Sequence, residues 1–465
     1  MRRPVATAAD VATTLALAWG AFAFGAVYEW AFWPLAVAVA LIGLHSLVRR
    51  SHVPRMPDAL LVIGLAAVAI ATLAQLVPLP ATVLTALSPR AAGVLEQIDI
   101  PFALRTSDRH ALSIAPQATM TALVLYAALV VFMLGVARSV SLTGARRLAA
   151  LIAVLGVALS LVGIVQQPLY AGRIYGFWTP LMQASPFGPF VNKNHFAGWM
   201  LMALPLTLGL LCANASRVAP GTTDWRRRIL WLSSPQANRM LLLAAAAVVM
   251  ALSLVLTMSR SGLLAFAASI AVAGWWSMRR MPVGSKRWVM GAYYACLVLF
   301  VVGWAGADAV AARLGSADPA TINERLPIWR DTWHVISDFW LTGSGLNTYG
   351  VATLFYQTSV PIFHLREAHN DYLQLGAEGG VLLGAPILVA IAALVRAVRS
   401  RFVGSSGSSY WIRLGAVTGL IAIAAQSIVE FSLQMPGNAA LFAVLCGIAL
   451  HRDPQFGRVR QGSAR

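Results

Sequence analysis

His364, Arg366, Glu367, His369, Asn370, Asp371 and Glu378 crowd into FHLREAHNDYLQLGAEGGVLLG, residues 363–384. An imidazole that is neutral near pH 7 can take a proton from a sugar hydroxyl, and such general-base help is worth about 10²–10⁴-fold. His369 is the candidate for that work. It stands at the mouth of an apolar run, is followed by Asn370 and Asp371, and has arginines nearby in sequence that oppose its protonation. A structural hydrogen-bonding role is the alternative for a loop histidine. His364 and His195 are weaker candidates, equally suited to packing at an interface.

Arg260, in LTMSRSGLLAF, offers a different chemistry. A guanidinium grips phosphate oxygens with two parallel bonds. Ser259 and Ser261 flank it with hydroxyls, and the amides opening the following helix favour an anion there. The competing explanation is an arginine that snorkels or pairs with Glu378 or Glu430. Arg173, Asn194, Arg325 and Arg330 complete the polar set. No D-x-D, H-E-x-x-H, clustered His and Cys or glycine-rich phosphate loop accompanies them, so no metal or cofactor is expected and arginines must meet any phosphate charge.

These residues must be positioned by a chain that is 58% hydrophobic and only 11% charged. A soluble domain carries roughly 25% charged residues. The composition therefore points to an all-α polytopic membrane protein, since backbone groups in lipid must bond within their own segment. About 12 transmembrane helices are expected, near 11–27, 31–48, 59–78, 119–137, 148–166, 195–213, 240–257, 262–278, 288–307, 379–397, 412–429 and 438–450. The first segment also has the look of a signal peptide, but with eleven spans behind it a retained helix is expected.

Charge sets the orientation. With the N-terminus inside, cytoplasmic segments hold 25 Lys and Arg against 4 Asp and Glu, and external ones hold 10 against 13. That asymmetry follows the positive-inside rule. The net charge of +18 thus reports topology, not nucleic-acid binding. Both termini are expected in the cytoplasm, with membrane lipid as a general partner. Residues 79–118 form one external loop, and 308–378, between spans nine and ten, a larger one. Long loops in compact proteins are usually functional. Within the second, INERLPIWRDTWHVISDFW predicts an aromatic-rich amphipathic helix on the membrane surface, capped by Asn323 with Pro327 in its first turn. Cys212, Cys296 and Cys446 lie in spans or at their ends, and no disulfide is expected.

Three stretches together resemble the O-antigen ligase family, which includes related polymerases and lipid-linked glycan transferases. They are RIYGFWTPLMQASPFGPFVNKNHFAGWMLMALPL (173–206), TMSRSGLLAF (257–266), and the run from RLPIWRDTWHVISDFWLTGSGLNTY to HNDYLQLGAEGGVLLG (325–384). The likeness covers a core of about 170–384 within what is expected to be one integral-membrane transferase domain, 1–465. It implies a GT-C-like, inverting, metal-independent glycosyltransferase of the bacterial inner membrane with a periplasmic active site. The implied donor is a glycan on undecaprenyl diphosphate, and the implied acceptor is lipid A-core or another glycan. His369 matches the family's catalytic base, and Arg260 and Arg173 match diphosphate-holding arginines. Asn370 would orient His369, and Arg325 and Arg330 would cover the lipid-side cavity. Glu378, Glu430 and Asn194 support them. An O-antigen or exopolysaccharide polymerase shares donor and site, so the acceptor is left open. A transporter or flippase is the alternative from another class, but it would carry ionisable residues near the midplane of its spans, where this chain has almost none.

Overall fold

A computed structural model describes residues 8–49, 58–180, 185–217, 233–280, 319–358, 364–403, 405 and 407–452. The expected ninth span and Cys296 lie outside the described residues. The described chain is helical almost throughout. Helices α1 (Ala8–Phe22), α2 (Glu29–Val48) and α3 (Ala59–Leu76) lead into a small unit at one end of the bundle. That unit holds strand β1 (Leu79–Pro80), helices α4 (Ala81–Leu87), α5 (Pro89–Ile98) and α6 (Ile100–Ala103), and strand β2 (Arg109–His110), antiparallel to β1. Next come α7 (Pro116–Thr143), α8 (Arg146–Leu169), α9 (Lys193–Ala215), α10 (Pro235–Leu256) and α11 (Arg260–Arg280). Helices α12 (Pro319–Asp338), α13 (Tyr349–Tyr356), α14 (Asp371–Val403), α15 (Gly407–Gln426) and α16 (Pro436–Leu450) complete the order.

Eight of these are long and apolar enough to cross a bilayer: α2, α3, α7, α8, α9, α10, α14 and α15. Helix α1, the Arg260–Trp275 part of α11, and α16 are apolar but shorter. Eleven of the twelve expected spans thus fall on described helices, and the chain is an all-α polytopic membrane protein.

Helix α9 is the axis of the bundle, buried on every side. Lipid tails are as apolar as leucine, so helices in a bilayer are held by close packing, which small residues permit. Gly209 and Gly415 let α9 and α15 touch backbone to backbone. A Cβ on Gly209 would stand 2.5 Å from the Trp411 carbonyl oxygen and 2.9 Å from the Gly415 Cα.

A second apolar core sits outside the bundle, at one end. Leu84, Leu95 and Ile114 from the first external loop pack with Val335, Phe339, Tyr349 and Tyr356 from the second. Gln75, at the end of α3, staples this cap to the bundle. Its Nε2 donates to the carbonyls of Thr342 (2.8 Å) and Glu378 (2.9 Å), and its Oε1 accepts from the Leu346 amide (3.1 Å). At the cap's far side the Tyr356 hydroxyl donates to Asp338 (2.6 Å) and accepts from Arg90 (2.8 Å).

Helix α12 departs from the sequence expectation. It begins at Pro319, before Asn323, and holds Pro327 in its interior and not in its first turn. The apolar side chains on it and just past its end also divide: Ile328, Val335 and Phe339 are buried, while Trp333 and Trp340 are exposed. The helix is therefore a wall of the cap as well as an amphipathic surface. Aromatic spacing alone does not distinguish a protein neighbour from a lipid one.

Candidate active site

The end of the bundle beneath the cap gathers the polar residues singled out in the sequence. Glu430 is the hub. It lies between α15 and α16, 1% exposed. Its Oε1 accepts from the Arg325 guanidinium at 2.6 Å and from the Asn194 side-chain amide at 2.8 Å. Its Oε2 faces His369 Nδ1 at 4.0 Å. That separation is an electrostatic contact and not a hydrogen bond. Both atoms are buried without a hydrogen-bond partner among the described residues. Burial pushes the Glu430 carboxyl upward, but His369 and Arg325 outweigh it and hold the group below the usual carboxylate value. Glu430 is thus a buried anion.

The backbone around His369 is fixed from both sides. The Ala368 amide donates to Gln374 Oε1 (2.9 Å), and the Ala368 carbonyl accepts from the Trp329 indole (3.1 Å). Trp329 stands one turn beyond Arg325, so α12 both places its arginine and holds the segment carrying the histidine. Asn370 caps α14: its Oδ1 accepts from the amides of Tyr372 and Leu373, both at 3.0 Å. It positions His369 through the backbone, not by touching the ring. His369 itself has φ +50°, a left-handed conformation uncommon outside glycine and asparagine. Asp371 locks the histidine segment to the Glu430 loop, accepting from Ser427 Oγ (2.7 Å) and Gln434 Nε2 (2.9 Å).

Phe431 joins the two histidines. His369 meets its ring edge-to-face at 4.9 Å and His195 does so at 4.6 Å. His195 is buried at the start of α9, and its Nε2 has no hydrogen-bond partner among the described residues. The sequence ranks His195 as a weaker candidate and does not single out Phe431. The available signal was the adjacency of His195 to Asn194 and of Phe431 to Glu430.

Arg260 opens α11, directly after Met258 in a left-handed conformation (φ +50°) and the buried Ser259. Ser259 Oγ accepts from the Gly262 amide at 3.3 Å and so serves the helix end itself. Gly262 packs against Ala197, two residues beyond His195, which brings the first turn of α11 beside the first turn of α9. Arg260 therefore shares the rim with Asn194 and His195.

Other expected members stand elsewhere. Glu378 is a staple of the cap: its carboxylate accepts from the amides of Asn347 (2.7 Å) and Tyr349 (3.1 Å) and from Gln374 Nε2 (3.1 Å). Beside it, α14 breaks at Gly380 (φ +53°) and the loop around Gly343 (φ +69°) presses in so closely that a Cβ there would lie 2.0 Å from the Glu378 carbonyl oxygen. Arg330 is exposed on α12 and makes no ion pair among the described residues. Arg173 is exposed in a turn closed by the Ile174–Trp178 bridge. That turn is anchored to the α1–α2 junction, where Tyr175 donates to the Phe22 carbonyl (2.7 Å) and Trp178 to the Tyr28 hydroxyl (3.0 Å). No described contact joins Arg173 to Glu430.

Two of the groups around the Glu430 carboxylate, the His369 imidazole and the Arg325 guanidinium, lie in one stretch of sequence that ends before Glu430 itself. Residues 245–388 match the O-antigen ligase family. The resemblance drawn from the sequence is borne out over this stretch. The O-antigen ligase segment contains Arg260, Arg325, Arg330, His369, Asn370 and Glu378, while Arg173, Asn194 and Glu430 fall outside it. No curated protein matches the chain. The family supports an enzyme of the membrane glycosyltransferase kind.

Proposed function

We propose that the chain is an inverting glycosyltransferase that moves a glycan from undecaprenyl diphosphate to a sugar hydroxyl at the periplasmic face, with lipid A-core as the acceptor. The observation that carries the proposal is the Glu430 carboxylate facing His369 Nδ1 while Arg325 and Asn194 hold its other oxygen. A carboxylate on the Nδ1 side favours the tautomer with its proton there, leaving Nε2 as the base. The acceptor hydroxyl gives its proton to Nε2 as its oxygen bonds to the anomeric carbon. The bond from that carbon to the phosphate oxygen breaks on the opposite face, and undecaprenyl diphosphate leaves. Arg260 meets the negative charge that develops on it. The periplasmic assignment rests on the charge asymmetry of the segments.

The test follows a labelled lipid-linked glycan incubated with the purified full-length protein and lipid A-core. Label moves to lipid A-core, and His369→Ala lowers the rate by about 10²–10⁴-fold. Label in longer lipid-linked chains would assign a polymerase with the same site. An unaltered donor would defeat the transferase proposal. Arg260→Lys keeps the charge and loses the two-pronged grip, so it is expected to slow transfer by on the order of tenfold or more. Normal turnover in that variant would remove Arg260 from the donor site.

A further inference from the structure

The opposite end of the bundle differs in chemistry. A cavity of about 1150 Å³ opens between α8, α9, α10 and α15, far along α9 from the Glu430 end. Arg146, Arg147, Arg217 and Arg239 all line it, and no carboxylate does among the described residues. The guanidinium of Arg146 donates to the Asn214 side-chain oxygen through Nη2, while its Nη1 is buried with no hydrogen-bond partner among the described residues. Helices α8 and α15 both begin at this cavity, and Ser408 and Ser409 add hydroxyls from the first turn of α15. Positive helix ends and four guanidiniums around one space favour an anion.

The remaining wall is apolar and continues outward. Val154 and Leu242 line the cavity and are 68% and 63% exposed, on the bundle surface that faces lipid. A freely dissolved anion would have no use for that side. We propose that the cavity binds an anionic phospholipid, its phosphate among Arg146, Arg217 and Arg239 and one acyl chain along Val154 and Leu242. The charge asymmetry of the segments puts this headgroup in the cytoplasmic leaflet, whose anionic lipids attract basic side chains at roughly 1 kcal/mol each.

Native mass spectrometry of the full-length protein in detergent tests the proposal, with phosphatidylglycerol and phosphatidylcholine of identical chains as probes. Phosphatidylglycerol is expected to be retained at least tenfold better. Arg217 and Arg239 are exposed, so R217Q/R239Q leaves the packed bundle intact, and it should cost about 30-fold of that retention. Adding R146Q should carry the loss to roughly a hundredfold. Ala246→Trp fills the apolar part of the cavity and should also expel the lipid while leaving the arginines in place. Equal retention of the two lipids, or an anionic preference unchanged in both R217Q/R239Q and Ala246→Trp, would overturn the proposal. Displacement of phosphatidylglycerol by an equal concentration of inorganic pyrophosphate would overturn the lipid assignment in favour of a soluble anion.

Discussion

Glu378 and Glu430 are two buried carboxylates at the same end of the bundle, and they are satisfied in opposite ways. Glu378 spends both oxygens on donors of the fold: two backbone amides and the side chain of Gln374. Glu430 spends one oxygen on Arg325 and Asn194 and turns the other, without a hydrogen bond among the described residues, toward His369. A carboxylate fully engaged by amides holds a loop in place. One held firmly on one side and turned on the other toward a histidine can answer a charge that develops on that ring during reaction. The difference separates a positioning element from a candidate catalytic one, although both residues are acids beside apolar helices.

Glu430→Gln presses hardest on that distinction. The amide keeps an oxygen for Arg325 and Asn194 but removes the charge opposite Nδ1. Transfer is expected to fall by about 10²–10⁴-fold, the scale on which a carboxylate fixing an imidazole's tautomer acts. Binding of the donor should change little. Retention of full activity in this variant would leave His369 without its partner and reduce Glu430 to an ion-pair residue. Glu378→Gln sharpens the comparison from the other side. It turns an NH₂ against a backbone N–H of the cap, which costs about 1–3 kcal/mol of stability. The unfolding temperature in detergent should drop, while turnover per folded molecule stays within a few-fold. A catalytic collapse with unchanged stability would exchange the roles of the two acids.

The spans were the most legible part of the sequence, because a bilayer converts a run of apolar residues directly into a helix. His369 and Arg260 stand out there too, as polar residues where lipid-facing ones would be expected. The setting of Glu430 does not. It depends on a loop closed by Asp371 and Gln434, and on α12 bringing Arg325 across from a distant segment. Nothing local records either contact. The two external loops read as separate segments, yet they share one core, and β1 and β2, two residues each, are too short to leave a pattern. Helix α12 was misjudged at its start because Asn323 and Pro327 imitate a helix opening, while the chain is already helical from Pro319. Arg173 stands in a turn whose aromatic anchor leads to α1 and α2, a contact that its local sequence does not announce.

Acid separates the two carboxylates by a smaller effect. His369 and Arg325 hold Glu430 below its ordinary value of 4.5, so the folded protein binds fewer protons there than the unfolded chain does. The stability this group contributes is complete above that ordinary value and is lost as pH falls through the lower value it has in the fold. The gap in unfolding temperature between wild type and Glu430→Gln should therefore be widest near about pH 7 and close as pH falls below the ordinary carboxylate range, where the carboxylate takes up its proton. A gap that stays constant across that range would mean that Glu430 contributes its shape and its two hydrogen bonds but not its charge. The charge is the property on which its pairing with His369 depends, so that outcome would weigh against the dyad as well.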